Sequence, residues 1–328
     1  MKVSPSVRAV QVPEDNPMNP ECTTIYLVGN EQALTIDSGY AIDRYRWYLK
    51  GYLAAVERSE IAMAGITHHH YDHSGNLKWA VEALDADIVV SKEAVPLLKG
   101  RLPKKRVERI QPGKSIKLEG GPTVQVLHTP GHSVDSLCYY IEEEGVLFTG
   151  DTLLGSTTTT VQDLGAYRET LQRLLELPNL NIICPGHGPL VYDPRERLQS
   201  YIDHRNRREQ QILEVLEQNG AVSSWDIMLQ LYPDIDTRLR RAADNNVRSH
   251  LDELAQKGRV KTYDGIPKRK RGPTKKAVEH AKERDRIIRK AKRYEEQDRK
   301  AEVRAQENPP TDEWKEPPRY ELLGRAND

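Results

Sequence analysis

Apolar residues in the first part of the chain fall in short runs punctuated by Gly, Pro and charged text. Residues 33–36, 61–67, 123–127, 145–148 and 180–183 are such runs, too short for helices, and each predicts a buried strand. After the second run, Leu77, Val81 and Leu84 recur at helical spacing, so a strand turns into a helix across residues 67–76. Alternation of this kind continues through residue 190 and predicts a layered α/β body. From Pro194 the pattern changes to one long helix, then helical text over 222–231 and 239–257, then Gly258-Arg-Val-Lys-Thr-Tyr263. Three helices followed by a short strand pair after Lys257-Gly258 is the order of a winged-helix fold.

The chain of 328 residues is long enough for two domains. The pattern divides it into a catalytic body over 1–192, a winged-helix-like module over 193–265, and a compositionally separate tail over 266–328. A net charge of zero hides an asymmetry. Residues 268–293 hold thirteen Lys or Arg against three acids, net +10, and residues 294–328 hold six bases against ten acids, net −4. Residues 1–267 therefore carry −6. Lys268-Arg-Lys-Arg271 reads as a flexible link, 274–305 as a solvated helix and the Pro-rich end as disordered. The basic stretch could hold a nucleic-acid backbone by releasing counterions, or simply solubilise the chain. Tyr294 is almost the sole aromatic residue there, which argues against base-specific recognition. Within the winged-helix text, Arg238, Arg240, Arg241 and Arg248 are interspersed with acids, so a packing or dimer role stands beside nucleic-acid binding.

Cys22, Cys138 and Cys184 are odd in number and far apart, so no disulfide framework is implied. With no apolar signal core at the N-terminus and no run of roughly twenty apolar residues, the expectation is a cytoplasmic protein without membrane attachment. The oligomeric state is left open. Tyrosine occurs fifteen times and phenylalanine once, so aromatic packing must carry hydroxyl groups.

Chemistry concentrates at the strand ends. Thr67-His-His-His-Tyr-Asp-His73 contains His68, His70, Asp72 and His73. Imidazole nitrogen and carboxylate oxygen suit zinc, and the two-residue spacing puts His68, His70 and Asp72 on one side of an extended segment, with His69 and Tyr71 facing the other way. Further candidates end other strands: Thr129-Pro-Gly-His132, Thr149-Gly-Asp151 and Cys184-Pro-Gly-His187-Gly188. Each carries a glycine that permits close approach or a positive φ. Asp37 follows the run 33–36 and would orient a metal-bound histidine. Ser156, Thr157 and Thr158 follow Asp151 and would border the cleft, either hydrogen-bonding a substrate phosphate or carboxylate or satisfying their own backbone. His128 reads as a packing residue, Cys184 as a small buried one, and His204, His250 and His280 as solvated helix residues.

The ordered set Asp37, His68 to His73, His132, Asp151 and His187 resembles the metallo-β-lactamase superfamily, whose αβ/βα four-layer sandwich is the fold it implies. By that resemblance His68, His70 and His132 would bind one Zn2+, Asp72, His73 and His187 a second, and Asp151 would bridge the two. A bridging carboxylate in place of cysteine is similar to the glyoxalase II and ribonuclease branches rather than the antibiotic-degrading enzymes. Residues 163–171, the Cys-Pro-Gly-His-Gly-Pro loop and His204-Arg-Asn-Arg-Arg-Glu-Gln-Gln-Ile-Leu213 resemble lactamase-beta-2-type proteins, which implies the winged-helix module and endoribonuclease activity on single-stranded RNA. Asn76 and Ser133 stand where that group commonly has glycine and threonine. Two cations sharing one water would lower its pKa toward neutrality, with Asp72 as the catalytic carboxylate that aims it. Iron or manganese would suit the same donors. The expected substrates are single-stranded RNA or, alternatively, a small thioester; a non-enzymatic nucleic-acid-binding protein is the third possibility.

Overall fold

The computed structural model describes residues 1–14, 21–56, 60–98, 100–267 and 314–323. Two compact units emerge, Met1–Asn206 and Arg207–Asp328. The first is built on two sheets. One has seven strands in sequence order, β1 (Lys2–Ser4), β2 (Val7–Pro13), β3 (Cys22–Val28), β4 (Gln32–Ile36), β5 (Glu60–Gly65), β6 (Asp87–Ser91) and β7 (Val107–Ile110). The other has five, β8 (Ser115–Lys117), β9 (Thr123–His128), β10 (Leu137–Ile141), β11 (Val146–Gly150) and β12 (Ile182–Pro185), in the order β12-β11-β10-β9-β8. Helices α1 (Asp43–Val56), α2 (Tyr71–Ser74), α3 (Leu77–Leu84), α4 (Ala94–Leu97), α5 (Leu164–Leu175) and α6 (Pro194–Asn219) complete the series.

Strands buried on both faces lose the usual polar alternation, and their alternate residues feed different cores. In β10, Leu137, Tyr139 and Ile141 enter the core between the sheets, where Tyr26, Leu34, Ile36, Val126 and Phe148 lie. Cys138 and Tyr140 point the other way, into a core with Leu164, Tyr167, Leu171 and Leu174 of α5 and Leu198 and Tyr201 of α6. The first sheet repeats the arrangement: Val89 of β6 enters the inner core, while Ile88 and Val90 pack outward with Tyr45 and Leu49 of α1 and Leu77 and Ala80 of α3. Helix, sheet, sheet, helix is the expected four-layer sandwich. Helix α5 begins where Asp163 accepts a hydrogen bond from Ala166 N at 3.0 Å, and its apolar residues then recur at three- and four-residue steps.

The second unit contains α7 (Ser224–Leu231), a single 3-10 turn at Thr237–Leu239, and α8 (Arg240–Gln256). Its strands are β13 (Val222–Ser223), β14 (Val260–Tyr263), β15 (Ile266–Pro267), β16 (Trp314–Glu316) and β17 (Arg319–Leu322). Ser223 caps α7 by accepting from Asp226 N at 3.2 Å, and its hydroxyl donates to Asp226 Oδ2 at 2.6 Å, a reciprocal cap. Ile212, Trp225, Met228, Val247, Leu251, Val260 and Tyr320 form the core of this unit.

Three expectations change here. The end of the chain is not wholly disordered: β17 is the middle strand of the sheet β13-β17-β14, and Trp314–Glu316 pairs with Ile266–Pro267. The strand after Lys257-Gly258 therefore finds its partner at 319–322 instead of in the next few residues. Tyr320 and Leu322 are an alternating apolar pair hidden in charged text, and Tyr320 is buried against α8 and β14. Second, the division between the units falls inside α6 instead of at its start, because Leu198 and Tyr201 pack in the first unit's core and Ile212, Val215 and Leu216 in the second's. Third, His250 is fully buried, since α8 turns positions 243, 247, 250, 251 and 254 inward at helical spacing. The basic stretch 268–293, the proposed helix 274–305 and His280 lie outside the described residues. Among the described residues no helix is long and apolar enough to cross a membrane.

Candidate metal centre

Parallel pairing brings the strand ends together. β4 runs beside β5 with Ile36 opposite Gly65, and β11 beside β12 with Gly150 opposite Pro185. Asp37, the 66–70 segment, Asp151 and His187 thus leave the sheets at their carboxyl ends, where α/β proteins place their sites. The sheets join at this edge, Leu137 N donating to Thr67 O at 2.7 Å and Thr24 N to Gly186 O at 2.9 Å.

Two clusters form. His68, His70, His132 and Asp151 make one, and Asp72, His73 and His187 the other, the donor atoms of each lying within 4.8 Å of one another. In the first, His70 Nδ1 is 2.7 Å from His68 Nε2 and 3.1 Å from His132 Nε2, with 3.3 Å between the last two. Nitrogens that share one tetrahedral zinc ion at about 2.0–2.1 Å lie roughly 3.3 Å apart, so the donor set fits an ion. In the second, Asp72 Oδ2 is 3.2 Å from His187 Nε2 and 3.6 Å from His73 Nε2. Asp151 faces both clusters, with Oδ1 3.2 Å from His73 Nε2 and 3.4 Å from His187 Nε2, and Oδ2 3.8 Å from His132 Nε2. His73 Nε2, His187 Nε2 and Asp151 Oδ1 are buried without a hydrogen-bond partner. Buried polar atoms rarely stand so, and converging ones are what a cation would satisfy.

For His68, His73, His132 and His187 the far nitrogen is held by the fold, which settles the direction of the near one. His73 Nδ1 lies 2.7 Å from Asp37 Oδ2, His132 Nδ1 donates to Thr160 O at 2.8 Å, and His187 Nδ1 donates to Cys22 O at 3.2 Å. His68 Nδ1 meets Thr67 Oγ1 at 3.1 Å. His70 alone turns Nδ1 inward. Asp37, at a left-handed φ of 66°, also accepts from Thr67 N at 2.7 Å and so ties the start of the histidine segment to the end of β4. Asp72 and His73 sit on the helical turn α2, so Asp72 does not continue the extended segment of His68 and His70 that the two-residue spacing suggested; Ser74 Oγ lies 2.8 and 2.9 Å from the His69 and His70 carbonyls, where the chain turns.

Burial holds His68 and His132 below the ordinary imidazole range, and His70 down to about 3, so all three keep a free lone pair. Burial opposes charge on His73 and His187 as well, but there the carboxylates outweigh it. Asp37, Asp72 and Asp151 raise His73, and Asp151 and Asp72 raise His187. The same pairing overcomes burial on the acids, His73 holding Asp72 and His187 holding Asp151 below the usual carboxylate range. The carboxylates thus favour protonated rings in the second cluster, with which a cation would compete, whereas burial favours neutral rings in the first.

Residues outside the predicted set complete the surroundings. Asp135, with a fully buried side chain, accepts from Ser133 Oγ at 2.6 Å and pairs with His69 Nδ1 at 2.9 Å, and His69 is in neither cluster. Arg101 donates to Ser74 Oγ at 2.6 Å and lies 5.4 Å over the Tyr71 ring, with no carboxylate partner among the described residues. Ser156, Thr157 and Thr158 are exposed on the loop after Asp151, while the buried Thr159 and the half-buried Thr160 of the same run are the ones that touch His132. Spacing could not have found these, since Asp135 and Thr160 reach the histidines only through tertiary packing. His128 Nε2 bonds Val134 O at 3.1 Å, apart from the clusters. Cys184 is buried between the sheets, its thiol pushed up by burial.

Comparison with known proteins agrees with this architecture. Residues 19–187 match the metallo-beta-lactamase superfamily and residues 223–269 the beta-lactamase associated winged helix domain. The chain is 32% identical over 265 residues to a "Beta-lactamase-like protein 2 homolog" of Caenorhabditis elegans, covering 79% of this chain and 87% of that protein. It is 35% identical over 216 residues to an "Atrochrysone carboxyl ACP thioesterase" of Aspergillus fumigatus, covering 65% of this chain and 66% of that one. A crystal structure of a beta-lactamase domain protein from Burkholderia ambifaria superposes with a TM-score of 0.73 at 20% identity, over 81% of this chain and 90% of that one. With the sandwich, the two clusters at its sheet edge and a relative matched over most of both lengths, the chain belongs to the metallo-β-lactamase superfamily and carries that family's winged-helix companion.

Proposed function

We propose that the protein is a hydrolase working with two divalent ions, zinc by preference, and that its substrate is a thioester on a carrier thiol. The observation that carries the first part is Asp151 facing both clusters, one oxygen toward each. His68, His70 and His132 would hold one ion and Asp72, His73 and His187 the other, with Asp151 shared. Two such ions lower the pKa of a shared water and polarise the oxygen under attack. The chain's own part is to fix the donors, exclude bulk water and accept a proton. His68, Asp72, His73, His132 and His187 are all buried. Asp72, held ionised by His73 and His187, offers Oδ2 beside the shared centre as the acceptor that aims the attacking water.

The substrate class rests on the thioesterase named among the relatives and on Arg101, a half-buried cation bonded to Ser74 two residues past Asp72 and with no carboxylate at ion-pair distance among the described residues, suited to an anionic carrier. A second reading, cleavage of single-stranded RNA, is favoured by the net +10 of residues 268–293. One experiment separates them. The zinc-loaded protein is offered a coenzyme A thioester, with release of free thiol followed optically, and in parallel a labelled single-stranded RNA, each beside Asp72→Ala. Thiol release by the wild type alone supports the first reading. RNA cleavage by the wild type alone, without thiol release, replaces it with the second, and no turnover of either rejects the hydrolase assignment for both classes.

A further inference from the structure

Helix α6 carries Arg197, Tyr201 and Arg205 at four-residue steps, hence on one face. All three reach the loop that follows Asp151. Arg197 Nη2 donates to Leu154 O and Thr157 O, each at 3.0 Å. Tyr201 donates to Thr157 O at 2.5 Å and accepts from Leu154 N at 2.9 Å. Arg205 Nη2 donates to Thr159 O at 2.6 Å, and its guanidinium lies 5.5 Å over the Tyr167 ring. Arg205 is only 1% exposed, has no carboxylate partner among the described residues, and leaves its Nε unbonded. A buried charge without a counter-charge is costly, so what it holds must matter.

What it holds leads to the metal centre. Thr159, whose carbonyl Arg205 grips, places Oγ1 3.0 Å from His132 Nδ1, and the next carbonyl, Thr160 O, accepts from that same nitrogen at 2.8 Å. Tyr167, under the guanidinium, donates to Thr152 O at 2.6 Å, one residue past Asp151. We infer that Arg205 is a positioning residue: from α6 it fixes the 159–160 peptide, and through it the tautomer and direction of His132, with Arg197 and Tyr201 splinting the rest of the loop. This rests on the two-ion reading of the site. It also gives the His204-Arg-Asn-Arg-Arg segment a role that sequence alone left unassigned.

The test loads the protein with cobalt(II), whose visible absorption reports the geometry of its nitrogen ligands, and compares wild type, Arg205→Met and Arg205→Lys by titration. Arg205→Met should bind the ion up to roughly tenfold more weakly with a shifted spectrum, the low end of what loss of a direct partner of a metal-bound histidine costs, since Arg205 acts through the 159–160 peptide, and Arg205→Lys should recover part of both. Circular dichroism confirms folding. Arg197→Met, at the half-exposed end of the stripe, is read alongside and should shift the spectrum in the same direction by less. Wild-type affinity and spectrum in every variant that folds overturn the inference. Failure of the wild type itself to bind cobalt overturns the two-ion reading instead, so the two failures are distinguishable.

Discussion

Truncating the chain before residue 314 should unfold the winged-helix unit, although the residues removed look like an appendage in the sequence. The reason is β17, whose Tyr320 stands opposite Val222 on one side and Thr262 on the other. Tyr320 is 6% exposed and belongs to the core with Trp225, Val247 and Leu251. Burial of an aromatic side chain removes about 150–250 Å² from water, worth at most about 4–6 kcal/mol at about 25 cal/mol per Å². Truncation of such a ring to alanine costs about 3–5 kcal/mol. A small domain is stable by only about 5–15 kcal/mol, so Tyr320→Ala spends a large share, and loss of the whole strand spends the rest. The substitution should lower the unit's unfolding temperature by at least about 12 °C. Amide exchange of Val247 and Leu251 in α8 and limited proteolysis report the unit separately. The informative contrast is excision of 268–313 with Pro267 joined to Trp314 through an Asn-Gly turn, which keeps the β15–β16 pairing and should leave α8 protected. Unchanged α8 protection after truncation at 313 would refute the reasoning. The excision variant is also the one in which any role of the basic stretch in RNA binding can be read without losing the domain beside it.

Four further outcomes follow from the geometry. Asp37→Ala removes the partner of His73 Nδ1 and of Thr67 N, and should weaken zinc binding about 10–100-fold in a chelator competition; unaltered affinity would deny Asp37 its orienting role. Gly186→Ala places a Cβ 2.7 Å from His73 Cε1 and 2.9 Å from Asp151 Oδ1, so it should release bound metal while circular dichroism stays native, and full metal content would show that the site can yield. Arg101→Met should raise KM for a coenzyme A thioester several-fold with kcat little changed, whereas an equal KM would remove Arg101 from substrate binding. Tyr139→Phe deprives the buried Ile66 carbonyl of its 2.9 Å hydrogen bond and should cost about 1–3 kcal/mol in urea unfolding, a neutral result meaning that water replaces the hydroxyl.

Much of the first unit could be read in advance because its signals are local. A run such as 33–36 bounded by turn residues states its own strand, and β4 occupies Gln32–Ile36 with Asp37 next after it. Leu77, Val81 and Leu84 fall on α3 as their spacing required. The same logic failed where a signal was short or depended on distant text. The four residues of β17 are too few to show a period against a charged background, and their place in the sheet depends on β14, more than fifty residues earlier. Alternation put Asp72 on one side with His68 and His70, whereas the structure groups it with His73 and His187, because α2 depends on bonds from Ser74 that a period-two argument ignores. The charged neighbours of His250 predict a solvated ring, although position 250 lies three residues from Val247 on the buried face of α8.

The excess of tyrosine over phenylalanine acquires a physical reason only in three dimensions. A strand that ends in order to present a metal-binding side chain leaves carbonyls at its edge that the sheet no longer satisfies, and they lie too deep for water. Buried tyrosines supply the missing donors. Tyr26 donates to Pro185 O at 2.8 Å, two residues before His187; Tyr139 to Ile66 O at 2.9 Å, two before His68; and Tyr167 to Thr152 O at 2.6 Å, one after Asp151. Each ring also packs in an apolar core, Tyr26 meeting Phe148 edge to face with centroids 5.1 Å apart. Phenylalanine would fill the same volume and leave the carbonyl unpaired. Precise ligand placement at a sheet edge therefore favours an aromatic residue with a hydroxyl at its tip, and the chain's composition records that requirement at three of the loops where the two clusters meet.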